Sequence, residues 1–133
     1  MNAQTIALVQ NSWAKVVPIA PQAATIFYDK LFAHDPSLRA LFKEDMTEQK
    51  GKLMQMLDLA VKSLNDLDSL VPQLQRLGAR HVTYGVEPAH YDTVGTALLE
   101  TLAAGLGDDF TPPVEEAWRS VYGVVASVMV PGE

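Results

Sequence analysis

The stretch LGARHVTYGV, residues 77–86, decides how the rest of the chain is interpreted. His81 follows Leu77 by one helical turn, so both side chains lie on the same face of a helix, and Leu74 and Leu70 continue that apolar face backward. A lone histidine on an apolar face is more often a hydrogen-bonded core residue than a ligand. From this stretch alone, His81 is therefore either a packed core histidine or a ligand for a metal.

Apolar residues recur at spacings of three and four along almost the whole chain, which is typical of amphipathic α-helices. The stripes consist of Ile6, Val9, Trp13 and Val16; Ala24, Phe27, Tyr28, Leu31 and Phe32; Leu53, Leu57, Ala60, Val61 and Leu64; Val94, Leu98 and Leu102; and Val114, Trp118, Val121, Tyr122, Val125, Val128 and Met129. No segment alternates with period two for long enough to predict a strand. The sequence therefore predicts an all-α fold of about six or seven helices joined by short loops.

Several breaks between the stripes carry signals for the start or the end of a helix. Asp45, followed three residues later by Glu48, is similar to a capping box in front of the stripe that begins at Gln49. GLGDDF, residues 105–110, predicts a helix end and a turn. A proline at a first helical position, where its missing N–H costs nothing, marks three further starts: Asp35-Pro36, Glu87-Pro88 and Thr111-Pro112.

Length, charge and composition limit the classes of function. The chain has 133 residues, 48% of them hydrophobic, which predicts one folded domain over residues 1–133. Its 10 basic and 16 acidic residues give a net charge of -6, which argues against a nucleic-acid partner. There is no cysteine, and neither a signal peptide nor a run of the roughly 20 apolar residues that a membrane span needs. We therefore expect a cytoplasmic protein with no membrane span.

Four segments together resemble the globin family over essentially the whole chain: LFAHDPSLRALF, GKLMQML, LGARHVTYGVEPAHY and AWRSVYGVVASVM. The likeness is to bacterial single-domain haemoglobins, to the globin part of flavohaemoglobins and to neuroglobin-like chains. It implies a three-over-three helical sandwich, with a short loop between the third helix and the helix that bears the distal residue. It also implies haem b, held without a covalent bond, with His81 as the proximal ligand of its iron.

The resemblance further implies which side chains surround the haem. Tyr28 and Gln49 match a pair that faces the bound gas, and Leu53 matches the apolar residue one turn later. Taken alone, Tyr28 would be a core residue and Gln49 an exposed glutamine. A hydroxyl and an amide would give two donors to a partly negative ligand such as dioxygen. The other implied haem contacts are Phe42 against the porphyrin plane, Lys52 and Arg80 near the propionates, and Leu77, Val86, Tyr91 and Val125 around the group.

Two features depart from the flavohaemoglobin pattern. The chain stops at Glu133, so we expect no reductase domain within it. Flavohaemoglobins also set a carboxylate of the last helix against a tyrosine and the proximal histidine. Tyr91 matches that tyrosine, but the carboxylate falls on Glu133, after Pro131 and Gly132. Because proline and glycine should end the helix, Glu133 is not expected to reach its partners.

The sequence thus predicts a haem protein that reversibly binds dioxygen with high affinity, for storage or delivery, and also takes other diatomic gases (NO, CO). Gln49 is a poor iron ligand, so the sixth coordination position should be open in the ferrous state. One alternative is a nitric oxide dioxygenase that depends on a separate reductase. A second is a helical interaction module that has lost haem. We expect a monomer or a weak homodimer.

Overall fold

The computed structural model describes residues 2–42, 44–83 and 88–129, and within these ranges it contains helices and no strand. The six α-helices are α1 (Ala3–Val16), α2 (Ala20–His34), α3 (Thr47–Lys62), α4 (Leu67–Thr83), α5 (Pro88–Leu106) and α6 (Pro112–Met129). Four 3-10 helices lie between them, at Val17–Ile19, Pro36–Leu41, Leu64–Asp66 and Gly107–Asp109. The prediction of an all-α fold with about six or seven helices is confirmed.

Proline, aspartate and glycine set several of the helix boundaries. α5 and α6 begin at Pro88 and Pro112, as the sequence predicts. Asp35 accepts a hydrogen bond from the backbone N–H of Ser37 (3.1 Å) and so caps the 3-10 helix at Pro36–Leu41. Gly107 follows the end of α5 with a φ of +55°, a conformation that glycine adopts without steric cost.

The start of α3 differs from the capping box that the sequence suggests. The helix begins at Thr47 rather than at Gln49, and Asp45 accepts a hydrogen bond from the Thr47 N–H (3.0 Å). Glu48 does not close the box, because its carboxylate pairs with Lys52 one turn later (3.2 Å). The loop between the 3-10 helix that ends at Leu41 and α3 is short, as the resemblance implied.

The helices form two layers of three. The helix contacts fit the three-over-three sandwich that the resemblance implies, with α1, α3 and α4 in one layer and α2, α5 and α6 in the other. Between the layers, α6 contacts both α1 and α4, and α2 contacts α3. Within its own layer, α2 packs against α5. α3, which carries Gln49, therefore packs mainly against α2, whereas α4, which carries His81, packs mainly against α6.

Two buried tryptophans, one on α1 and one on α6, pack against each other in the hydrophobic core. The rings of Trp13 and Trp118 lie 6.1 Å apart, and the Trp118 indole N–H donates to the buried Ser12 hydroxyl (2.8 Å). The Trp13 indole N–H donates to Asp58 Oδ1 (2.9 Å), which joins α1 to α3. Among the described residues, no helix combines the length and the apolar character that a membrane crossing requires.

Candidate functional site

His81 lies near the end of α4, on the face that the sequence identified. Leu70 and Leu74 of that face are fully buried, whereas Leu77 and His81 are half-buried. The His81 Nδ1 atom lies 2.7 Å from the backbone carbonyl oxygen of Leu77. Because a carbonyl only accepts hydrogen bonds, Nδ1 is the donor in this contact, and in the neutral form of imidazole the lone pair then belongs to Nε2. The described part of the chain offers Nε2 no hydrogen-bond partner.

Tyr91, on the first turns of α5, faces His81. The two rings lie 6.4 Å apart and are tilted by 42°. The Tyr91 hydroxyl oxygen is buried and has no hydrogen-bond partner within residues 2–42, 44–83 and 88–129. Its burial raises the pKa of Tyr91, so the hydroxyl keeps its proton and remains a donor. An unpaired buried hydroxyl is costly unless a further group bonds to it.

α6 supports this part of α5 through Tyr122. The Tyr122 hydroxyl donates to the backbone carbonyl of Tyr91 (2.6 Å), and its ring lies against Gly95, one turn further along α5. Burial raises the pKa of Tyr122 well above its usual range, so this hydroxyl also stays protonated. The sequence analysis assigned Tyr122 only to the apolar stripe of α6. The hydroxyl of Tyr122 could have indicated this role, because a tyrosine on a buried helix face usually needs a hydrogen-bond partner.

Tyr28 lies on α2 inside a group of aromatic rings, with only 4% of its surface exposed. Its ring centroid lies 5.0 Å from that of Phe27, 5.9 Å from that of Phe32 and 5.6 Å from that of Phe42. Phe42 follows the 3-10 helix at Pro36–Leu41 and meets both Tyr28 and Phe32 with its ring nearly perpendicular to theirs. The aromatic group therefore brings Phe42 to Tyr28 and holds the phenol ring of Tyr28 in place.

Gln49, on the first turn of α3, meets the hydroxyl of Tyr28. The Gln49 Nε2 donates to the Tyr28 oxygen over 3.2 Å, although the residues are 21 positions apart. The described residues provide no acceptor for the Tyr28 hydroxyl proton, so that proton is available to another group. Burial raises the pKa of Tyr28, and the Gln49 hydrogen bond lowers it by less. Tyr28 is therefore a protonated donor at neutral pH.

The remaining residues implied by the resemblance fall into three groups. Leu53 and Val125 are half-buried and pack against the hydrophobic core, and Leu77 is half-buried one turn before His81. Lys52 and Arg80 are exposed, and the Lys52 ammonium contacts Glu48. Val86 and Glu133 lie outside the described residues.

The other two histidines lie on α2 and α5. His34 lies exposed at the end of α2, and its Nε2 contacts the Glu100 carboxylate, so this contact joins α2 to α5. His90 is half-buried on the first turn of α5.

These residues fit the haem group that the resemblance implies. His81 turns Nδ1 to the Leu77 carbonyl and leaves Nε2 for a metal, and Tyr91 offers a buried donor that has no acceptor in the described part of the chain. A large flat apolar group would also cover side chains that are only half-buried in this structure: Phe42, Leu53, Leu77 and Val125.

Comparisons with known proteins agree with this geometry. A family model described as Globin matches residues 25–129, a range that includes Tyr28, Gln49 and His81. The chain is also 32% identical over 133 residues to a flavohemoprotein of Vibrio cholerae serotype O1 (strain ATCC 39315 / El Tor Inaba N16961). That match covers 96% of this chain and 33% of the flavohemoprotein, so the chain spans about a third of its relative's length. With its two layers of three helices and this match, the chain belongs to the globin family.

Proposed function

We propose that this globin holds haem b without a covalent bond, through His81, and reversibly binds dioxygen with high affinity. The observation that carries the proposal is the 3.2 Å hydrogen bond from Gln49 to the Tyr28 hydroxyl, inside a cluster of aromatic rings. When bound, haem supplies an iron atom with one coordination position open to dioxygen, nitric oxide or carbon monoxide.

His81 acts as the proximal ligand. Its Nδ1–H donates to the Leu77 carbonyl, which fixes the tautomer and the direction of the ring before any metal is present. Nε2 is then the only ring nitrogen with a free lone pair. Because the partner of Nδ1 is a neutral carbonyl rather than a carboxylate, no negative charge faces the ring, and the imidazole would be a moderate electron donor. Such a ligand suits reversible binding.

Tyr28 and Gln49 act together on the gas-binding side. The Gln49 amide carries two N–H groups, one of which donates to the Tyr28 oxygen. This bond occupies the Tyr28 oxygen as an acceptor and leaves its O–H to donate. A partly negative diatomic ligand thus meets the Tyr28 hydroxyl and the second Gln49 N–H, both already oriented. We expect slow dioxygen release and high affinity for this reason.

The other side chains enclose the group and hold its edge. With haem bound, Phe42 and Leu53 would exclude water from the gas-binding side, and Leu77, Val86 and Val125 would be its apolar contacts. Lys52 and Arg80 would hold the propionates. Lys52 would exchange its partner Glu48 for a propionate at little cost, because both side chains are mostly exposed and such pairs contribute about 1 kcal/mol or less.

Nitric oxide dioxygenation is the second candidate function, and the similarity to the flavohemoprotein supports it. The name of that protein, flavohemoprotein, indicates both flavin and haem, and this chain matches a third of its length. The reaction combines nitric oxide, dioxygen and one electron to give nitrate. In this alternative, the electron comes from a separate reductase. The pair of Tyr28 and Gln49 suits this reaction as well, since it also requires long-lived dioxygen binding.

We further propose that residues 1–133 act as one globin domain, in the cytoplasm, as a monomer or a weak homodimer. Size-exclusion chromatography with light scattering, over a range of protein concentrations, tests the oligomeric state.

Stopped-flow kinetics with dioxygen and nitric oxide test the proposal, using haem-loaded wild type, Gln49→Leu and the control Gln55→Leu. Gln55 lies on the same helix with an exposed side chain, so Gln55→Leu makes the same chemical change away from Tyr28. We expect faster dioxygen release only in Gln49→Leu. A single burst of nitrate supports the binding protein, and sustained nitrate formation with NADH and a reductase supports the enzyme. A wild type that gains no Soret band on haem addition overturns both.

A further inference from the structure

α6 approaches α4 more closely at Gly78 than any other residue type would allow. A Cβ atom added to Gly78 would lie 1.9 Å from the backbone oxygen of Met129, the last residue of α6, and 2.7 Å from its carbonyl carbon. Both are backbone atoms, so no side-chain rotation can relieve the clash. Any larger residue at position 78 therefore requires the backbone of α4 or of α6 to shift.

The same peptide unit orients His81. The nitrogen of Gly78 is bonded to the carbonyl carbon of Leu77, and the oxygen of that carbonyl accepts the hydrogen bond from His81 Nδ1 (2.7 Å). His81 itself follows Gly78 by three residues on the same helix. A displacement of Gly78 therefore moves both the acceptor that directs the imidazole ring and the backbone that carries it.

Other glycines show that this contact is specific to Gly78. A Cβ atom at Gly51 of α3 or at Gly123 of α6 would meet nothing within 4 Å. At Gly95 of α5 it would lie 2.8 Å from a ring carbon of Tyr122, which is a side-chain atom and not part of a backbone. Because glycine is unfavourable inside a helix relative to alanine, a buried helical glycine usually has a packing reason.

We propose that Gly78 is a positioning residue for His81. By letting the end of α6 lie directly on α4, it fixes the peptide unit whose carbonyl directs the imidazole towards the iron. This inference rests on the proposed haem ligation by His81. It adds that the geometry of the ligand depends on a backbone contact with α6, outside the helix that bears the histidine.

The test compares Gly78→Ala with Gly123→Ala in haem-loaded protein. The first measurement is the rate of haem transfer to an excess of an apo-globin acceptor. The second is the iron–histidine stretching frequency of the ferrous, gas-free protein by resonance Raman spectroscopy, which a merely structural role would leave unchanged. For Gly78→Ala we expect haem loss to rise by about tenfold or more, as for other groups that orient a metal ligand, together with a shifted frequency. For Gly123→Ala we expect neither change.

A double variant keeps the test decisive if Gly78→Ala does not fold. Met129→Gly weakens the last turn of α6, because glycine disfavours the helix, and so lets the Met129 carbonyl move away. Gly78→Ala with Met129→Gly should therefore recover haem binding and a frequency close to that of the wild type. If the double variant behaves no better than Gly78→Ala, or if Gly78→Ala matches the wild type, the inference is wrong. Failure of the proposed function is a separate result, because the wild type would then bind no haem.

Discussion

Replacing Tyr28 by phenylalanine isolates the hydroxyl that we assign to the bound gas. The aromatic contacts with Phe27, Phe32 and Phe42 are ring contacts, and phenylalanine retains them. The loss is confined to the O–H donor and to the 3.2 Å hydrogen bond from Gln49. Gln49 is half-buried and can turn to water, so the free energy of unfolding should fall by only about 1 kcal/mol.

The effect on dioxygen release should be much larger than the effect on stability. A hydrogen bond to a charged acceptor contributes about 1.5–3 kcal/mol, and about 1.4 kcal/mol corresponds to a factor of ten. Tyr28→Phe should therefore release dioxygen about 10- to 150-fold faster than the wild type. Stopped-flow displacement of dioxygen by carbon monoxide measures this rate directly.

Thr101→Val provides the matched control. It removes another buried hydroxyl, one that donates to the Ala97 carbonyl within α5, and it keeps the size of the side chain. Its dioxygen release rate should stay within twofold of the wild type. If Tyr28→Phe also stays within twofold, Tyr28 does not contact the gas, and the assignment of the pocket is refuted.

Three further outcomes follow from the described contacts. Gln49→Leu should release dioxygen about tenfold faster, because it removes one donor and the bond that directs Tyr28; an unchanged rate would contradict the pairing. His81→Gly should lose its Soret band and regain it on addition of free imidazole; firm haem binding without imidazole would show that another residue holds the iron. Asp58 accepts hydrogen bonds from Trp13 and Lys62, which lower its pKa below the usual range of an aspartate. Its stabilising effect is therefore present above the usual aspartate pKa and is lost as the pH falls through the lowered pKa of the folded protein. Urea unfolding should show Asp58→Asn less stable than the wild type at pH 7, with the difference shrinking by pH 3.

Local patterns were sufficient to predict the helices. The stripe from Val114 to Met129 and the proline at 112 fix the extent of α6, because periodicity and capping act within a few residues. The start of α3 was harder to predict, since Asp45 and Glu48 can each bond to more than one partner. Asp45 caps Thr47, and Glu48 pairs with Lys52.

The candidate site was harder to predict from local patterns. Tyr28 and Gln49 lie on different helices, so no spacing rule joins them, and only the resemblance to globins paired them. Spacing also could not show that His34 meets Glu100 across two helices. The Met129 contact with Gly78 was likewise hidden, because it joins two backbones and no side-chain pattern records it.

The burial of Tyr28 bears on which of two roles its hydroxyl can take near an iron atom. A phenol coordinates a metal as its anion, whereas it stabilises a bound gas as a neutral donor. Desolvation inside the aromatic cluster raises the pKa of Tyr28, and the Gln49 N–H offsets only part of that shift. Gln49 therefore orients the hydroxyl without ionising it. The aromatic rings and the amide together keep Tyr28 in its neutral form, which is the form that binding of dioxygen uses.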